Sequence, residues 1–270
     1  MAGGAGLLYS DVLNGGVFSV DRQGNVTTVF AYRKGIRGMS VDKNAGLIVS
    51  GRNISWKSVP EGETITVLEK NEVTGLIGFN DITTDEAGRI YAGSLRSSPV
   101  FEDGREPRPG DLYLIELDGS ARKVAFDIQL TNGLAFSPDG RTLYHSDSAR
   151  DHINRYSVTA DGSLSEKQLF AETEIGSPDG LVVSEDGRVW VALPGGSGVG
   201  VYHPNGRFDQ LIEIPEPMCT SVCFGGDDLK DLYIVSGSRG SESDRAGAVY
   251  VQRVDVAGLA VPLARVSVSA

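Results

Sequence analysis

The chain has 270 residues, 35 of them glycine, and a formal net charge of −11. That acidity argues against nucleic acid or an anionic membrane as partner, since both need basic patches, and no segment reaches transmembrane length. The length can bury a large core, and one unit repeated along it makes residues 1–270 a single domain.

Residues 1–6 carry no strand pattern. With no basic start and an apolar run broken at Ser10-Asp11, they do not read as a signal peptide. Strands are expected over Leu7–Val12, Gly16–Val20 and Val26–Tyr32. A second group runs from Arg37 to about Lys70. Asn80 opens a third, which ends near Phe126 and holds the longest loop, Ser97–Gly110, read as a lid or a solvated excursion. The fourth begins with the hairpin Thr131–Ser148, TNGLAFSPDGRTLYHSDS. Its apolar run is Leu134–Phe136, its turn Ser137–Gly140 and its return Thr142–Ser146. Asp179 opens a fifth group that ends at Ile214. Thr220 opens a sixth that takes the chain to its C-terminus, with Gly237–Gly247 as a loop.

The hairpin has four copies. RGMSVDKNAGLIVSG starts at Arg37, NDITTDEAGRIYAGS at Asn80, DGLVVSEDGRVWVAL at Asp179 and TSVCFGGDDLKDLYIVSG at Thr220. From Arg37 through Asn80, Asn132 and Asp179 to Thr220 the steps are 43, 52, 47 and 41 residues. A β-rich unit at that period is a propeller blade. The expected fold is an all-β, six-bladed β-propeller in which the innermost strand of blade 1 is missing or incomplete.

Each copy begins an innermost strand, so Arg37, Asn80, Asn132, Asp179 and Thr220 occupy one level of the channel. Two amide oxygens and a carboxylate at that level suit Ca²⁺, or less specifically Mg²⁺ or Mn²⁺. The competing reading is a wet channel mouth that accepts any small polar residue. Arg52, Arg96, Arg150 and Arg239 stand at the ends of returning strands, where an arginine rim would suit an anionic ligand or a carboxylate product. Cys219 and Cys223 share a strand at about 13 Å, too far for a disulfide, and read as core residues of a cytoplasmic protein. His145 reads as a packed residue in a second strand. No G-x-S-x-G, phosphate loop or zinc-ligand spacing occurs.

Taken together, TNGLAFSPDGRTLYHSDS, FNDITTDEAGRIYAGS, SPDGLVVSEDGRVWVAL and TSVCFGGDDLKDLYIVSG resemble the senescence marker protein (regucalcin)/gluconolactonase family. The resemblance implies a six-bladed propeller with one divalent metal in its channel, and a hydrolase that opens sugar-type or other small lactones. It makes Asn80, Asn132 and Asp179 metal ligands and Asp179 also the general base. Ca²⁺ is the first candidate ion, with Mg²⁺, Mn²⁺, Zn²⁺ or Fe as the others. Where sugar-acting relatives often carry an arginine, two residues before the Asn-Asp pair, this chain has Gly78. Arg37 or Arg96 could take its place, and with Thr220 these are the substrate-binding candidates. A fourth family ligand, the glutamate of a Glu-Gly-Pro segment, would fall roughly four residues before Met1 by the repeat spacing. Its loss should weaken metal binding and leave a strand edge uncovered. The implied partner is a small lactone, with no nucleic acid or membrane, for a monomer or homodimer. Two alternatives stay open: a non-catalytic propeller that binds metal or a small ligand, and an organophosphate hydrolase on the same fold.

Overall fold

A computed structural model describes residues 6–31, 33–59, 64–99, 104–243 and 246–268. Its strands form six antiparallel meanders that follow one another along the chain. This is the repeat of a six-bladed β-propeller. Blade 1 holds β1 (Gly6–Ser10), β2 (Val17–Asp21) and β3 (Val26–Phe30). Blade 2 holds β4 (Met39–Val41), β5 (Leu47–Val49), β6 (Ile54–Lys57) and β7 (Thr64–Leu68). Blade 3 holds β8 (Gly78–Thr84), β9 (Ile90–Leu95), β10 (Gly110–Ile115) and β11 (Ala121–Ile128). Blade 4 holds β12 (Thr131–Phe136), β13 (Thr142–Asp147), β14 (His152–Ser157) and β15 (Gln168–Glu172). Blade 5 holds β16 (Leu181–Val183), β17 (Val189–Leu193), β18 (Gly198–Tyr202) and β19 (Phe208–Glu213). Blade 6 holds β20 (Cys219–Gly225), β21 (Asp231–Ser236) and β22 (Val249–Arg253). Residues 1–5, where an innermost strand of blade 1 was sought, lie outside the described residues.

Burial explains the sequence of each strand. Every residue of β9 (IYAGSL) and β17 (VWVAL) is buried, because both faces of a second strand are covered and period-two alternation is lost. Outermost strands such as β7 and β11 are partly exposed and mix polar with apolar residues. The chain divides into two compact units, residues 1–123 with 262–270 and residues 124–261. In the first, Phe79, Ile82 and Ile90 pack with Ile48 and Ile54. In the second, one cluster joins Tyr144 and Phe170 to Leu181, Val183 and Val191, and another surrounds Trp190, Val222 and Leu232.

Blade 6 corrects one expectation, since it has three strands rather than four and the chain after β22 leaves its sheet. In the second unit, Glu185 N bonds Ala257 O at 2.9 Å and Leu259 N bonds Val183 O at 3.1 Å, along the inner turn of blade 5. In the first unit, Ala264 N bonds Val41 O at 2.9 Å, Arg265 N bonds Gly88 O and Ser267 N bonds Leu117 O, both at 2.8 Å. Ala264 and Val266 are buried in the blade 2–3 core, so the alternation of this tail serves as a cover rather than a fourth strand.

The inner hairpins share a turn with one residue in the left-handed region: Gly88 (φ 90°), Gly140 (φ 67°) and Gly187 (φ 80°). In blade 2 that place is taken by Ala45 at φ 62°. The adjacent Gly46 serves another need, since a Cβ there would lie 2.4 Å from Trp56 Nε1.

Candidate functional site

In the first unit, pairing of β8 with β9 slips between Phe79 and Ile82, so Asn80 and Asp81 form a bulge. A bulge re-aims side chains that a regular strand would send to alternate faces. Asn80 is buried. Its carbonyl accepts the hydroxyl of Ser50, which also receives Gly38 N at 2.7 Å. Gly38 fits tightly here: a Cβ would lie 2.7 Å from Ile82 N and 2.8 Å from Asp81 Oδ1. Ser40 and Thr84 hydroxyls, 2.6 Å apart, continue the contact between β4 and β8. Asp81, which the sequence reading did not single out, is half-buried and accepts Ile82 N at 2.9 Å. Burial pushes its carboxyl up to about 6.

Arg37 directly precedes this contact. Its Nε is buried without an acceptor, and burial lowers its pKa. Arg96 is committed within blade 3, donating to Thr74 O at 2.9 Å and pairing with Asp111 at 3.3 Å. It lines a cavity of about 260 Å³ with Gly75, Arg105, Glu106 and Arg108.

In the second unit, β12 slips against β13 between Thr131 and Leu134, placing Asn132 in a bulge. β20 slips likewise between Cys219 and Ser221, at Thr220. Asn132 Nδ2 donates to Ser148 Oγ at 2.7 Å, and that hydroxyl donates to Pro178 O. Gly133 N bonds Asp179 O at 3.1 Å, and Gly180 N bonds Thr220 O at 3.1 Å. The structure therefore brings Asn132, Asp179 and Thr220 onto three adjacent strand starts. Gly133 and Gly180 allow the close approach, since a Cβ on Gly133 would lie 2.3 Å from Leu181 N and one on Gly180 3.0 Å from Ser221 Cα. Thr220 Oγ1 lies 3.4 Å from Val235 O. Asp179 is half-buried. Burial pushes the Cys219 thiol up to about 12, the Asp179 charge adding to the rise, and the Cys223 thiol up to about 11. Both cysteines are free, as the shared strand required, and neither is an activated nucleophile.

The donor chemistry fits a hard cation. The Asn132 NH₂ donates to Ser148, which fixes the plane of the amide, and an amide oxygen is a hard donor of the kind Ca²⁺ takes. Among the described residues no three His, Cys, Asp or Glu side chains gather as a metal-binding group. His145 is fully buried and bonded to Thr131 Oγ1 at 2.8 Å, and His203 pairs with Asp209 at 3.2 Å. The serines at the strand ends, Ser50 and Ser148, were missed as positioning groups because the arginines beside them drew the reading by charge.

Residues 1–238 match the family described as "SMP-30/Gluconolactonase/LRE-like region". A 6-deoxy-6-sulfogluconolactonase of Pseudomonas putida is 33% identical over 95% of this chain and 90% of its own length. A luciferin-regenerating enzyme superposes with a TM-score of 0.85 at 23% identity, over 97% of this chain and 92% of that one. A calcium-binding regucalcin of Agrobacterium tumefaciens superposes with a TM-score of 0.83 at 20% identity, over 97% and 90% of the two chains.

Proposed function

Because the chain belongs to the SMP-30/gluconolactonase/LRE-like family, we propose that it is a divalent-metal-dependent lactonase that adds water across the ester of a sugar-type lactone. The observation that carries this reading is the pairing of blades 4 and 5, where the Asn132 amide is held by Ser148 and the next residue, Gly133, bonds through its N–H to the main-chain carbonyl of Asp179. Similarity to a 6-deoxy-6-sulfogluconolactonase supports a sugar-derived ring as substrate, and similarity to a calcium-binding regucalcin supports Ca²⁺ as the ion.

The residues that would serve as oxygen ligands are Asn80 in the first unit and Asn132 and Asp179 in the second, Asn80 and Asn132 within the first three residues of β8 and β12 and Asp179 two residues ahead of β16. When bound, the ion supplies Lewis-acid polarisation of the lactone carbonyl and charge to offset the developing oxyanion. Asp179 takes a proton from the attacking water as its oxygen bonds to the carbonyl carbon. The ring C–O bond then breaks and the leaving oxygen takes up that proton, giving a hydroxy acid. Ser148 holds the Asn132 amide in place, and Thr220 lines the substrate side from the adjacent bulge.

The test is lactone opening by the purified protein, followed with a pH indicator after chelation and again as Ca²⁺, Mg²⁺ or Mn²⁺ is titrated back. Opening that stops on chelation and returns with metal is the expected result. No opening of any sugar lactone at millimolar metal would overturn the proposal.

A further inference from the structure

We propose that Arg37 binds an anionic substituent of the substrate, a carboxylate, sulfonate or phosphate carried at a distance from the reacting ester. The inference rests on the lactonase reading and adds a substrate class to it.

Among the described residues, the Arg37 guanidinium makes no ion pair, and its Nε is buried with no acceptor. The other arginines near strand ends are differently placed. Arg96 is held by Thr74 O and Asp111, and Arg150 by Asp127 at 2.9 Å and Asp147 at 3.1 Å. Arg52 and Arg239 are exposed. Only Arg37 in this set, half-buried as a residue, has a fully buried guanidinium nitrogen with no acceptor. Desolvation lowers its pKa, and no carboxylate acts to raise it again. Burying an unpaired charge is unfavourable, and a guanidinium cannot escape the cost by losing its proton near neutral pH. An anion supplied by a ligand would satisfy it.

Its location points to the substrate as the source. Arg37 precedes Gly38, which is in tight contact with Asp81 and Ile82 at the Asn80 bulge. The cation thus stands within the first unit, one blade from a proposed metal ligand. A protein of net charge −11 has no general attraction for an anionic sugar acid derivative, so recognition of one must be local. A planar guanidinium suits a two-oxygen contact with an oxyacid better than an ammonium would.

The experiment compares kcat/KM for glucono-1,5-lactone with that of the same ring bearing a carboxylate, sulfonate or phosphate at the carbon farthest from the ester. Wild type, Arg37→Met and Arg37→Lys are measured. Wild type should favour at least one anionic lactone over the neutral parent. In Arg37→Met that selectivity ratio should fall by about ten- to a hundredfold, the loss of one charge-assisted contact, and Arg37→Lys should fall less. The derivative whose ratio moves most identifies the anion. A ratio that Arg37→Met leaves unchanged would overturn the proposal, as would a wild type that favours the neutral lactone. Thermal unfolding separates binding from folding. Ligand-free Arg37→Met should melt no lower than wild type, whereas a fall in Tm would make Arg37 a structural residue. If wild type opens none of these lactones, the lactonase reading fails, and calorimetric titration with the open-chain sulfonate, phosphate and dicarboxylate still decides the anion site. Binding lost in Arg37→Met supports it, and no binding, or equal binding to both proteins, overturns it.

Discussion

At the residue scale, Ser148 joins two proposed ligands through one hydroxyl. It accepts from Asn132 Nδ2 and donates to the carbonyl of Pro178, the residue before Asp179. Ser148→Ala leaves both ligand side chains present but removes the hydroxyl that accepts the Asn132 NH₂. Loss of such an outer-sphere contact costs about ten- to a hundredfold in metal affinity. Calorimetric titration with Ca²⁺ should show that loss, and unchanged affinity would mean that the amide needs no anchor. Asn132 and Asp179 stand out in the sequence because repetition puts them in register. Ser148 was visible too, ahead of Arg150, but a hydroxyl among many serines gives no signal until its partners are known. Arg150 gave a signal and is engaged with Asp127 and Asp147. Charge is easy to see in a sequence, and satisfaction of charge is not.

At the scale of elements, the hairpins were read nearly to the residue. The sequence placed the fourth-blade hairpin over Leu134–Phe136 and Thr142–Ser146, and its strands are Thr131–Phe136 and Thr142–Asp147. The turn of the second-blade hairpin departs from the others. In VDKNAGLIVSG the glycine suggests the left-handed position, yet that position belongs to Ala45 and Gly46 lies under Trp56. A residue with a Cβ is strained there by about 1 kcal/mol. Ala45→Gly should therefore raise stability by roughly that amount less the entropy of a freer unfolded chain, a net gain of about 0.5 kcal/mol. The urea midpoint measures it, and a lower midpoint would contradict the turn assignment. The bulges at Asn80, Asn132 and Thr220 were invisible for a different reason: one extra residue in a strand changes no composition and little periodicity.

At the scale of the whole molecule, the fold was the most legible feature, because each of five hairpin copies specifies a blade by itself. The C-terminal tail was not. Residues 262–268 alternate like a strand but cover blades 2 and 3, a long-range pairing that local pattern cannot announce. Global stability carries a pH signature from His145. Burial holds this imidazole down to about 4, with Asp147 opposing the shift and Lys167 adding to it. Its folded-state pKa lies below that of the unfolded chain, so at pH 7 the folded state is neutral, the unfolded state is mostly so, and the residue contributes little pH dependence. As pH falls below about 6.5 the unfolded state takes up the proton first, and stability drops by about 3 kcal/mol by pH 4. Urea unfolding between pH 7 and pH 4 should be less steeply pH-dependent in His145→Gln by up to about one proton. Equal slopes would mean that His145 titrates normally in the folded protein.

The hydrolytic assignment is tested most directly by the rate of lactone opening at saturating Ca²⁺ or Mn²⁺ in wild type and Asp179→Ala. Wild type should open a sugar lactone faster than buffer, and the variant should lose about 10²–10⁴-fold of that rate, the worth of a positioned general base. Equal rates in the two proteins, or a wild type no faster than buffer, would contradict it.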